Sequence, residues 1–148
     1  MIRSRKAAWL LLALALLAMA MSGCRRTPDE VRVRESIAAV ARAAEAGAAS
    51  DMVAPLSTDF DGNAGVLDRS ALANMVRLMA LRGEHTGVTM GPVAIEHRGE
   101  RMVAMFTVTL TSGGRLFPEQ MGIYQVESAW RNESGQWRCY TASWKHSI

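Results

Sequence analysis

Apolar positions along this 148-residue chain fall into three regimes. Ala7 to Met21 run without a charge. From Glu30 to Ala46, and again from Arg69 to Leu81, the apolar residues recur at helical spacing. Val33, Ile37, Val40, Ala41 and Ala44 form one stripe, while Arg32, Arg34, Glu35, Arg42 and Glu45 mostly face elsewhere. This predicts a helix over 30–46, stopped at Gly47. Ser50 to Leu56 predicts a short second helix. Asp59 to Val66 has two glycines, Asn63 and no apolar rhythm, and reads as a loop, with Phe60 plugging the core from it. Asp68 is a good cap for a third helix over 69–81, with Leu72, Met75, Val76 and Met79 on one face.

From Val88 the period becomes two. Val88 to His97 is strand-like but broken at Gly91-Pro92. Arg101 to Thr111 alternates, with Met102, Ala104, Phe106, Val108 and Leu110 on one side. Ser112-Gly113-Gly114 reads as a turn. Gln120 to Arg131 and Gln136 to Lys145 read as strands joined by a hairpin turn at 132–135. Helices first and an antiparallel sheet of about four strands afterwards define an α+β domain, a cone with its helices on one face of a curved sheet.

The first regime is a secretion signal: Arg3, Arg5 and Lys6, then the apolar run, then small residues. The run is shorter than the roughly 20 residues that span a bilayer. Met21-Ser22-Gly23-Cys24 resembles the lipobox of bacterial lipoproteins. That resemblance implies cleavage before Cys24, acylation of its thiol and of the new amine, and a membrane anchor. Arg25 after the cysteine, by the same resemblance, favours the outer membrane facing the periplasm. The expected organisation is a signal over 1–23, a lipidated cysteine and tether over 24–29, and one domain over 30–148.

The leader changes the meaning of the charge. Of 17 Lys and Arg, three leave with the signal, while all 14 acidic residues stay, so the formal charge of +3 falls to about zero. No block of like charge marks a nucleic-acid partner. With Cys24 acylated, Cys139 has no partner within the chain, and a buried inert thiol is expected. Three histidines without ligand spacing predict no metal site, and no cofactor is expected.

The order of elements resembles the nuclear-transport-factor-2-like superfamily, with its ketosteroid isomerases and SnoaL-type cyclases. The last hairpin carries much of the likeness, with Ile123 to Trp130 followed by Gly135-Gln136-Trp137-Arg138-Cys139-Tyr140. The resemblance covers about 31–145. It implies a pocket between sheet and helices and often a homodimer through the sheet. It does not imply catalysis, because the same cone hosts many roles. Isomerases of the superfamily have a tyrosine in the first helix, and this chain has none there. Its dehydratases use a His–Asp pair.

The candidates for that chemistry are Asp59, Asp61, His85, Glu96, His97 and Glu127. The acidic loop Asp59-Phe60-Asp61-Gly62-Asn63 is rich in oxygen but lacks calcium-loop spacing. A carboxylate of Glu96 or Glu127 on the concave side of the sheet would serve proton transfer, and on the convex side would face water. Phe106, Tyr124, Trp130, Tyr140 and Trp144 are candidates for the pocket or a dimer face. Strand alternation puts Tyr140 and Trp144 on one face and Trp137 on the other. The expected role is binding of a small apolar or amphipathic ligand or of an envelope protein. A proton-transfer or hydration enzyme and a structural component are the alternatives.

Overall fold

The computed structural model describes the backbone of residues 2–21, 28–114 and 117–147. Helix α1 (Ile2–Met21) presents Trp9, Leu10, Leu11, Leu12, Leu14 and Leu16 as exposed side chains. Among the described residues no helix is long and apolar enough to cross a membrane. Cys24 lies outside the described residues.

Helix α2 (Asp29–Ala46) has Asp29 and Glu30 in its first turn, where the helix dipole favours negative charge. It ends at Gly47 in the left-handed conformation (φ 66°), whose N–H bonds back to Ala44. Helix α3 (Ala49–Val53) is one short turn. Helix α4 (Arg69–Leu81) is capped by the Asp68 carboxylate, which accepts from the Ala71 amide at 2.7 Å.

Seven strands follow the order β2-β1-β7-β6-β5-β3, with β4 also on β5. They are β1 (Leu56–Gly62), β2 (Leu67–Asp68), β3 (His85–Met90), β4 (Ala94–Arg98), β5 (Arg101–Gly114), β6 (Phe117–Glu133) and β7 (Gln136–His146). The interruption at Gly91-Pro92 separates β3 from β4. β5 is long enough to pair with β4 along its first half and β3 along its second.

Three expectations change. The segment read as a loop at 59–66 begins as strand β1, which pairs in parallel with β7. Its rhythm is hidden because Asp59 and Asp61 occupy its outer face and Phe60 its inner one. The 112–114 segment continues β5 rather than turning. The sheet is therefore mixed, and larger than four strands.

The concave face of the sheet supplies Met102, Ala104, Trp130 and Cys139 to the core. Val33 and Ile37 of α2, Val53 of α3, Ala73 and Val76 of α4, and Leu56 and Phe60 of β1 close over them. Burying each larger apolar side chain there stabilises the fold by about 1.5–3 kcal/mol. A bulge breaks the β6–β7 register. Ala129 pairs with Thr141 and Trp130 with Cys139, leaving Tyr140 without a partner. The extra residue shifts the alternation, so Tyr140 leaves the face of Trp144, and Trp137 packs against the core instead of opposing it.

Candidate functional site

The cone encloses a cavity of about 430 Å³ between α2, α4 and the concave sheet. That size falls within the usual range for small-ligand pockets, roughly 300–1,000 Å³. Its buried wall includes Ile37, Leu56, Phe60, Val76, Val108 and Trp130. The stripe of α2 predicted to pack on the sheet (Ile37, Val40, Ala41 and Ala44) lines one side, and Met75, Val76 and Met79 of α4 line another. Exposed Met75, Ala80 and Glu45, with half-buried Gly47 and Glu84, border its opening.

Two glycines shape the aromatic wall. A Cβ on Gly122 would lie 2.8 Å from the ring of Tyr124, and one on Gly62 would lie 2.9 Å from the ring of Trp144. Neither ring could keep its place over a larger residue. Asn63, with φ 50°, accepts from the Trp144 amide at 2.8 Å and fixes the strand beneath that indole.

Several polar groups of the wall are already engaged. The Trp130 indole donates to Ser128 Oγ at 2.9 Å, and that hydroxyl lies 3.5 Å from the Ala104 carbonyl it donates to. Cys139 Sγ donates to the Thr141 carbonyl at 3.3 Å. Burial pushes its thiol up to about 12, so the sulfur is protonated and non-nucleophilic at neutral pH. Glu45 Oε1 accepts from the Val88 amide at 2.9 Å, tying the end of α2 to β3. The deep wall can therefore exclude water and hold apolar surface.

The structure brings Phe106, Tyr124, Trp130 and Trp144 to this cavity. It places the other predicted residues elsewhere. Tyr140 lies on the convex side beneath Arg131, with the guanidinium 5.0 Å from its ring centre. Arg101 donates to the Tyr140 hydroxyl at 3.2 Å. Asp59 faces the same side, 2.6 Å from Arg131, which also donates to Glu133 at 2.8 Å and Ser57 at 2.9 Å. The Ser57 hydroxyl first and Arg131 second hold the Asp59 carboxyl below its usual range. Ser57 has one proton and gives it to Glu133 Oε2 at 2.7 Å, so the guanidinium is the partner that geometry supports for Asp59. Ser57, ahead of Arg131, likewise lowers Glu133. This cluster fastens β1 to the last hairpin.

Asp61 accepts from the Gly65 amide at 2.5 Å and shapes the β1–β2 turn. His85 is exposed at the start of β3, and Glu127 is exposed on β6. Glu96 pairs with Arg98 at 2.9 Å on exposed β4. His97 does meet a carboxylate, Glu30 of α2, at 2.8 Å, but both are exposed and neither lines the cavity. None of the six proposed acid–base residues reaches the cavity wall. Among the described residues no cluster of His, Cys, Asp and Glu could hold a metal.

Sequence reasoning missed Glu45 and Glu84 at the opening. Glu45 had a visible signal, since it continues the helical row Ile37–Ala41–Glu45. Glu84 had none, because its position depends on the turn after α4.

No family of known sequences matches the chain, and no curated protein matches it. Solved structures do share its fold. A candidate scytalone dehydratase from Novosphingobium aromaticivorans superposes with a TM-score of 0.73 at 10% identity, over 81% of this chain and 85% of that one. A candidate dehydratase of the NTF2-like family from Streptomyces avermitilis gives 0.67 at 13% identity, over 81% and 97%. An NTF2-like protein with a cystatin-like fold from N. aromaticivorans gives 0.63 at 17% identity, over 91% and 86%. The fold is thus the NTF2-like cone, as the order of elements implied.

Proposed function

We propose that this chain is a lipid-anchored protein of the bacterial envelope, attached through Cys24 to the outer membrane and facing the periplasm. Its cone binds a small apolar or amphipathic ligand. The observation that carries the binding role is the cavity of about 430 Å³, walled by aliphatic, methionine and aromatic side chains, with the polar atoms of Trp130, Ser128 and Cys139 in its deep wall internally bonded. A wall of this kind rewards burial of apolar area and offers a polar ligand little compensation for lost water. The enzyme alternative rests on the likeness to two candidate dehydratases alone. Among the described residues the cavity wall offers it no histidine. The lipobox-like Met21-Ser22-Gly23-Cys24 supports the anchor.

The test is to isolate the full chain from its membrane and identify what it releases by mass spectrometry, beside a Val126→Trp variant. Val126 lines the cavity, and an indole there projects into it and takes up part of its space. A small apolar compound bound to the parent and absent from the variant is the expected outcome. Equal recovery from both, or none from either, would remove the binding role.

A further inference from the structure

The cavity has a charge preference as well as an apolar wall. Among the described residues its ionisable lining side chains are Glu45, Glu84, Tyr124 and Cys139, and these residues include no Lys, Arg or His. The Cys139 thiol is neutral, as its burial requires. The formal charge at the site is therefore negative and is confined to the opening. Glu45 uses Oε1 to accept from Val88. Among the described residues its Oε2 takes no hydrogen bond. Glu84 is more enclosed, with a side chain 19% exposed, and among the described residues its one cation is Arg82 at 3.9 Å. Arg82 is 57% exposed, and at that distance the pair is loose.

The two carboxylates come from separate elements, the end of α2 and the turn after α4, and both line the cavity. Tyr124 and Trp144 add aromatic faces to the wall, which attract cations and repel anions. An anionic amphiphile such as a fatty acid would bring its head to these two like charges, and among the described residues no lining cation would receive it. A protonated amine would replace water at the two carboxylates while its tail fills the apolar interior.

Resting on the binding role proposed above, we infer that the ligand is a cationic amphiphile: an apolar body carrying an amine, its head drawn to the carboxylates of Glu45 and Glu84. The cavity carries the affinity and the carboxylates carry the selection between headgroups.

The experiment uses the full chain in nanodiscs of neutral phosphatidylcholine, with empty nanodiscs subtracted. A fluorescent apolar probe, N-phenyl-1-naphthylamine, is displaced by octylamine, octanol or octanoate, which share a tail and differ in head. Octylamine is expected to compete at least about tenfold better than octanoate, equivalent to about 1.4 kcal/mol, with octanol between. The double variant Glu45→Gln, Glu84→Gln should bring octylamine to the level of octanol and leave octanol unchanged, which also reports an intact cavity. Arg82→Gln removes the competing cation and should strengthen octylamine alone. Octanol displacement without an amine advantage, or an advantage that survives the double variant, overturns the inference while the binding role stands. Failure of all three to displace the probe overturns both.

Discussion

At the scale of single residues, environment more than identity decides what each side chain does. Cys139 is a free thiol in a chain read as exported, yet it is 2% exposed and its sulfur is neutral. Its proton equilibrium has a consequence for stability. The unfolded thiol ionises near 9.0, whereas the folded one holds its proton to about 12. The folded state is therefore favoured fully below pH 9, and that advantage is lost as pH rises from about 9 towards 12. The loss is at most about 1.4 kcal/mol per pH unit for this one group. Chemical denaturation of the full chain at pH 8 and pH 10.5 should show a fall in stability that is smaller in Cys139→Ala than in the parent. The native thiol should also resist maleimide until the chain unfolds. Equal alkaline losses in both proteins would mean that other groups carry them. That Cys139 would be buried was legible from its place in a strand-like run. The role of Tyr140 was not, because the bulge beside it depends on pairing across β6 and β7.

At the scale of elements, legibility follows locality. Helix α4 was readable to the residue because its determinants are adjacent: Asp68 caps it, and Leu72, Val76 and Met79 repeat along one face. Helix α2 was equally clear. β1 was hidden, because its strand character comes from parallel pairing with β7, some 80 positions away. Alternation in β1 also puts two aspartates beside one phenylalanine, which resembles a polar loop until the Arg131 cluster explains the aspartates. The same locality makes the helix ends testable. Asp68→Ala removes the bond to the Ala71 amide and should cost about 1 kcal/mol. Gly47→Ala forces a side chain into the left-handed region and brings its Cβ to 3.2 Å from that of Ala80. It should cost about as much or more. Thermal unfolding checks both, and because the two caps share no partner their effects should add. A Gly47→Ala change with no cost would mean that α2 can end without that turn.

At the scale of the whole molecule, one helix leads from just after the proposed anchor segment to the lining of the cavity. α2 begins at Asp29, beside the tether, and runs for 18 residues, about 27 Å at 1.5 Å per residue. Ala44, Glu45 and Gly47 line the cavity at its far end. If Cys24 carries the proposed anchor, the chain is tethered at the end of α2 opposite Glu45 and Gly47, and a ligand of the cavity is expected to exchange with the aqueous compartment. Leu81 reports on this. It follows the lining residues Met79 and Ala80 and is 85% exposed, so an aliphatic side chain already stands in water there. With Cys24 acylated and Cys139 buried, Leu81→Cys introduces the one readily accessible thiol. A bulky, water-soluble maleimide should label it at the same rate on the membrane-bound protein as on protein extracted into detergent. Protection on the membrane, lifted by extraction, would mean that the opening rests on the bilayer. Ligands would then pass directly between lipid and cone. The comparison also tests the anchor: Cys24→Ser should abolish incorporation of a labelled fatty acid, and incorporation that persists would place the lipid on another residue.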